Sequence, residues 1–220
     1  MNQDTEYTVS IRITFPEATT AVLKQEKDRF VACYGSSYKS DPHVTVYLDR
    51  YTPEGFAPLL SALRTLHFAP FEVSLLAPHV IKDAFRGHMF YVVDVEPKEP
   101  LKKLHAAVLA IAAQYHSPLL REKEQKRYDE GKLSQEAYAA RMQHREAGTS
   151  HRYDPHITLG DVAFDAPQPD MAEVVRNVQD VVGTKIEVKG LDVFYHGKEP
   201  GAERAELIEQ VFVPFNTIRP

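Results

Sequence analysis

A hexapeptide that occurs twice constrains this chain more than any other feature. Asp41-Pro42-His43-Val44-Thr45-Val46 is matched by Asp154-Pro155-His156-Ile157-Thr158-Leu159, with four positions identical and two aliphatic exchanges. Two copies about half a chain apart imply a pseudo-twofold pair rather than a solenoid. Each copy reads as a strand, and side chains on a strand alternate between its faces. His43, Thr45 and Tyr47 then share one face, and Val44, Val46 and Leu48 the other. In the second copy His156 and Thr158 oppose Ile157 and Leu159. Each proline sits at a strand start, where its missing N–H is tolerated.

Two such strands side by side present two imidazoles and two hydroxyls to one cleft. Phosphodiester cleavage needs those functions. A neutral histidine takes a proton from the attacking oxygen, and a protonated one returns a proton to the leaving oxygen. Threonine hydroxyls stabilise charge on the nonbridging oxygens. The candidate catalytic residues are therefore His43, Thr45, His156 and Thr158. The pattern resembles the 2H phosphoesterase superfamily, with its paired H-x-T strands, which includes 2′-5′ RNA ligase-like proteins and cyclic phosphodiesterases. That resemblance implies an α+β fold of two lobes. Two antiparallel sheets would be related by pseudo-twofold symmetry around a central cleft, with helices on the outer faces. It also implies an enzyme acting at a ribose 2′-oxygen, on 2′,3′-cyclic or 2′-5′ phosphodiesters.

The rest of the chain is compatible with such a fold. Val9, Ile11, Ile13 and Phe15 alternate with Ser10, Arg12 and Thr14 over Thr8–Phe15, the pattern of a half-buried strand. Further strands are predicted over 71–81, 89–95, 185–195 and 206–215, and helices over 16–34, 53–68, 100–115 and 169–182. Strands and helices mix without βαβ alternation, which favours α+β with antiparallel sheets. Residues 119–148 stand apart. From Arg121 to Glu146 they hold seven Lys or Arg and six Asp or Glu, with Gly131 between two charged halves. An exposed helical hairpin inserted into one bilobal domain of residues 1–220 is expected, and it leads into the second motif as a lid would.

Candidate substrate-binding residues flank the motifs. Tyr47, Phe15 and Tyr195 are possible base-stacking rings, and Arg12, on the polar face of the first strand, is a possible phosphate ligand. The other eight histidines show no metal-ligand spacing, so no metal and no cofactor are expected. The formal net charge of −5 argues against a broad nucleic-acid surface. It leaves room for an RNA end, an oligonucleotide or a small nucleotide at a local phosphate site. Cys33 is the only cysteine, and neither a signal-peptide pattern nor a long apolar run is present. A cytoplasmic location, no membrane partner and no obligatory protein partner are expected. Two other functions fit the same residues: a nucleotide-binding regulatory module without turnover, and a 2′-5′ RNA ligase.

Overall fold

A computed structural model describes residues 7–83, 87–115, 125–136, 138–139, 153–197 and 206–216. The strands are β1 (Tyr7–Ile13), β2 (Val44–Tyr51), β3 (Phe71–Asp83), β4 (His88–Glu96), β5 (His156–Ala163), β6 (Lys185–Val188), β7 (Gly190–Gly197) and β8 (Glu206–Pro214). The helices are α1 (Glu17–Tyr34), α2 (Pro53–Leu63), α3 (Lys98–Ala112) and α4 (Met171–Val178). Gly35 ends α1 in the left-handed region at φ 68°, its N–H reaching the Phe30 carbonyl. Asp170 caps α4 by accepting from the Ala172 N–H at 3.0 Å.

The fold is α+β with antiparallel pairing, as expected. The strands form one hydrogen-bonded order, β6-β3-β4-β5-β2-β1-β7-β8, in place of two separate sheets. Its middle is a narrow seam: β2 and β5 share a single pair, Val44 with Ile157. Read outward from that seam, one side runs β5, β4, β3, β6 and the other β2, β1, β7, β8. Each motif strand completes the same unit, since β1-α1-β2 and β4-α3-β5 are both antiparallel strand pairs bridged by a helix. The bridging helices cross over, α1 packing against β5 and α3 against β2. Val44, Val46, Ile157 and Leu159, all at most 1 % exposed, form the centre of the core beneath the seam.

The stretch expected as one strand over 185–195 is two. β6 pairs with β3 in one half, and β7 pairs with β1 in the other. The chain changes sides at Gly190, where a Cβ would lie 2.4 Å from the Val213 carbonyl. Of the charged insertion, residues 125–129 and 135–136 are helical on either side of a turn at Gly131 (φ 70°). Tyr128 and Tyr138 stack across it at 4.5 Å. The remainder of the insertion lies outside the described residues, and with it the alternative reading of the segment as a lid. Among the described residues no helix is long and apolar enough to cross a membrane.

Candidate active site

The seam sets the geometry. With Val44 opposite Ile157 in antiparallel register, His43 lies across from Thr158 and Thr45 across from His156. Each histidine thus sits, by register, opposite the threonine position of the other copy. Both rings are held alike: His43 Nδ1 lies 2.6 Å from the Asp41 carbonyl and His156 Nδ1 2.8 Å from that of Asp154. A carbonyl only accepts, so Nδ1 carries the hydrogen in both rings and Nε2 is left for the cleft. This explains the Asp-Pro-His sequence. The proline's fixed φ presets the turn that brings the aspartate carbonyl onto the ring two residues later. The Asp41 side chain pairs with Lys24 of α1 at 3.2 Å, and that of Asp154 with Lys98 of α3 at 2.6 Å. These pairs are exposed and add little stability.

Both motif strands carry a β-bulge at the same place. Arg12 pairs with Thr45 and Ile11 with Tyr47, so Val46 is the extra residue; Val92 pairs with Thr158 and Tyr91 with Gly160, so Leu159 is. A bulge resets the alternation of faces. Tyr47, expected beside His43 and Thr45, is turned into the core. It borders the cleft floor but is 1 % exposed, and its hydroxyl donates to Asp49 Oδ2 at 2.9 Å. Leu48 takes the cleft face and pairs with Ser10, another cleft residue.

The cleft encloses about 580 Å³ and is lined by Arg12, Lys27, Tyr38, Ser40, His43, Thr45, Tyr153, Asp154, His156 and Thr158, among others. That volume suits a small ligand. Among the described residues neither threonine hydroxyl has a protein hydrogen-bond partner. Of the candidate binding residues, Arg12 lines the cleft. Its Nε donates to Ser10 Oγ at 2.6 Å and its guanidinium stacks over Phe194 at 4.5 Å. Phe15 and Tyr195 do not line the cleft: both are buried in the core, Tyr195 stacked on Phe56 at 4.0 Å.

Sequence reasoning missed Lys27 and Tyr153. The strands part beyond Val44 and Ile157, which leaves the Thr45 and Thr158 carbonyls to side-chain donors. Lys27 Nζ donates to the Thr158 carbonyl at 2.7 Å, and the Tyr153 hydroxyl to that of Thr45 at 3.1 Å. Tyr153 is fixed by stacking on His105 at 4.1 Å. Lys27 is 3 % exposed, a buried amine on the same helix face as Leu23 and Phe30. Burial, then repulsion from Lys24 and Arg12, lowers its pKa to about 8. Burial also lowers that of Arg12, to about 10, opposed by Asp41. Burial, then the Arg12 cation, pushes His43 down to about 3, so this ring is neutral at pH 7. The signal for Lys27 was a charged residue at helical spacing on an apolar stripe.

Residues 23–198 match the family model of the 2′-5′ RNA ligase superfamily, a match that includes both motif strands. The chain belongs to that superfamily. It is thereby a 2H phosphoesterase, and membership supports phosphodiesterase or RNA ligase-like chemistry. Among curated proteins none matches. Solved structures share the fold at low identity. TT0787 of Thermus thermophilus is 17 % identical, with a TM-score of 0.57 over 94 % of this chain and 98 % of its own. LigT of E. coli in apo form is 12 % identical, with a TM-score of 0.53 over 95 % and 98 %. The complex of E. coli LigT with 3′-AMP is 12 % identical, with a TM-score of 0.52 over 94 % and 98 %.

Proposed function

We propose that this 2H phosphoesterase is a metal-independent phosphodiesterase acting at a ribose 2′-oxygen, on a 2′,3′-cyclic phosphate or a 2′-5′ linkage. The observation that carries the reading is the matched pair of histidines. Each is held through Nδ1, leaves Nε2 for one cleft and shares that cleft with both motif threonines. For a cyclic phosphate, His43 Nε2 takes a proton from water as the water oxygen attacks phosphorus. The bond from phosphorus to the ribose 2′-oxygen breaks, and protonated His156 gives its Nε2 proton to that oxygen. Thr45 and Thr158 donate to the nonbridging oxygens, and Arg12 and Lys27 hold the phosphate charge.

His43 takes the part of base because burial and Arg12 keep it neutral. A free base titrating so low is weak. A bound phosphate offsets the Arg12 and Lys27 cations and raises His43 toward the range where proton transfer is efficient. A nucleotide or RNA-end substrate is consistent with the complex of LigT with 3′-AMP.

The test is turnover of 2′,3′-cyclic mononucleotides, cyclic-phosphate-ended RNA, and 2′-5′ and 3′-5′ dinucleotides with EDTA present. Wild type is expected to cleave at least one 2′-oxygen-linked member and a His43→Ala/His156→Ala double variant none. Loss of activity in EDTA that added metal restores would overturn metal independence. Binding without turnover across the panel would favour a nucleotide-binding module. Joining of cyclic-phosphate and 5′-hydroxyl ends in preference to cleavage would favour a ligase.

A further inference from the structure

A second, smaller cavity lies on the catalytic face of the sheet. It encloses about 220 Å³ and is lined by Ser37, Tyr38, His88, Phe90 and Asp161. The β5 bulge creates it. Without the extra residue at Leu159, strict alternation from His156 and Thr158 would send Asp161 into the core. With it, Gly160 turns inward against Phe30, and Asp161 rejoins the catalytic face opposite Phe90. The cavity adjoins the cleft twice: Tyr38 lines both, and Ile81 of the cleft is the cross-strand partner of Phe90. Asp161 stands three positions after Thr158. At roughly 3.3 Å per residue that is about 10 Å or less, the reach from a phosphate across a ribose to its base.

We propose that this cavity is the nucleobase subsite of the same active site; the inference rests on the nucleotide reading above. Its walls are two half-buried rings, Tyr38 and Phe90, set edge to face at 5.7 Å and 85°. Ring faces beside a phosphate site offer a sequence-tolerant platform for a planar heterocycle. The polar group is equally prepared. His88 Nδ1 lies 2.9 Å from Asp161 Oδ2, which fixes the ring and turns Nε2 outward. Asp161 also accepts from Ser36 Oγ at 2.8 Å and the Ser37 N–H at 2.9 Å. The carboxylate is thereby saturated. It positions His88, and His88 Nε2 meets the edge of the base.

The experiment is calorimetric titration of the full chain with the four nucleoside 3′-monophosphates and with a base-free probe, methyl riboside 3-phosphate. Each is run on wild type, Phe90→Ala, Phe90→Tyr and His88→Ala, with melting curves to check folding. Wild type is expected to bind nucleotides more tightly than the base-free probe. Phe90→Ala should shrink that preference about 5- to 150-fold, the worth of one stacked base, and Phe90→Tyr should restore it. His88→Ala should change the ranking among the four bases. A preference for nucleotides that Phe90→Ala leaves intact overturns the subsite, as does equal binding of nucleotides and the base-free probe by wild type. A Phe90-dependent preference in a protein that turns over no phosphodiester would uphold the subsite and overturn the catalytic reading instead.

Discussion

The two motif strands carry closely matched hexapeptides, the same bulge and the same histidine turn, yet their neighbours differ position by position. Opposite Thr45 stands Arg12; opposite Thr158 stands Val92. Beyond the bulge β2 continues Tyr47-Leu48 and β5 Gly160-Asp161. The Thr45 carbonyl takes a neutral phenol donor and that of Thr158 an ammonium. Under the proposed mechanism, the symmetric positions hold the groups needed on both sides of an in-line displacement. The asymmetric ones hold what makes the sides unequal: burial and nearby cations that keep His43 neutral, and, among the described residues, a pocket beside the second copy.

The largest expected effect tests the symmetric part. His43→Ala and His156→Ala should each lower the turnover rate by about 10²- to 10⁴-fold. Near-full activity in either, on the substrate identified for wild type, would break the equivalence of the two copies. Thr45→Ala and Thr158→Ala come next. Each loses a hydrogen bond to a charged oxygen worth roughly 1.5 to 3 kcal/mol, or about 10- to 150-fold in kcat/KM. A large gap between them would show that one nonbridging oxygen carries most of the transition-state charge.

Much of this was legible in the sequence because the period of a strand is simple. Val9, Ile11 and Ile13 announce β1, and the repeated hexapeptide announces β2, β5 and four cleft side chains. What escaped it depends on contacts between distant segments. A bulge has no composition of its own, so the alternation that carried His43 and Thr45 was continued through Tyr47, which the structure buries. On sequence alone Phe15 and Tyr195, at strand ends, are candidate stacking rings as well as candidate core residues, and the structure buries both in the core. The split of residues 185–195 was visible in part. The apolar positions change phase between Val188 and Leu191, and Gly190 stands at the change. Lys27 is a different failure. A lysine among Leu23 and Phe30 reads as a solvated residue until the far strand supplies a carbonyl for it.

The pseudo-equivalent residues Tyr47 and Gly160 give the next comparison. Both face the core, but only Gly160 lies under α1, where an added Cβ would come within 2.5 Å of the Phe30 ring. Gly160→Ala should therefore destabilise the fold by about 1 to 3 kcal/mol through overpacking. A combined Gly160→Ala/Phe30→Leu variant should recover part of that loss in denaturant melts. An unchanged midpoint in the single variant would mean that α1 shifts without cost, which would loosen the link between α1 and the placement of Lys27.

The smallest effect distinguishes the two carbonyl donors by their charge. Lys27 is pushed down from 10.5 to about 8, and between those values the unfolded chain keeps a proton that the folded chain has released. Stability therefore rises as pH climbs through this window, because the unfolded state binds more protons there. Affinity for a phosphodiester moves the other way, since the folded protein is losing a cation from its cleft. Wild type should thus show Tm and KM increasing together above about pH 8. Lys27→Arg keeps its charge throughout and should flatten both trends. Tyr153→Phe removes a neutral donor from the matching carbonyl, so it should lower Tm by a similar amount at every pH across this window and leave the slope of KM as in wild type. If KM for wild type stays level while Tm rises, Lys27 serves the seam alone, and the phosphate charge rests on Arg12 and the two threonines.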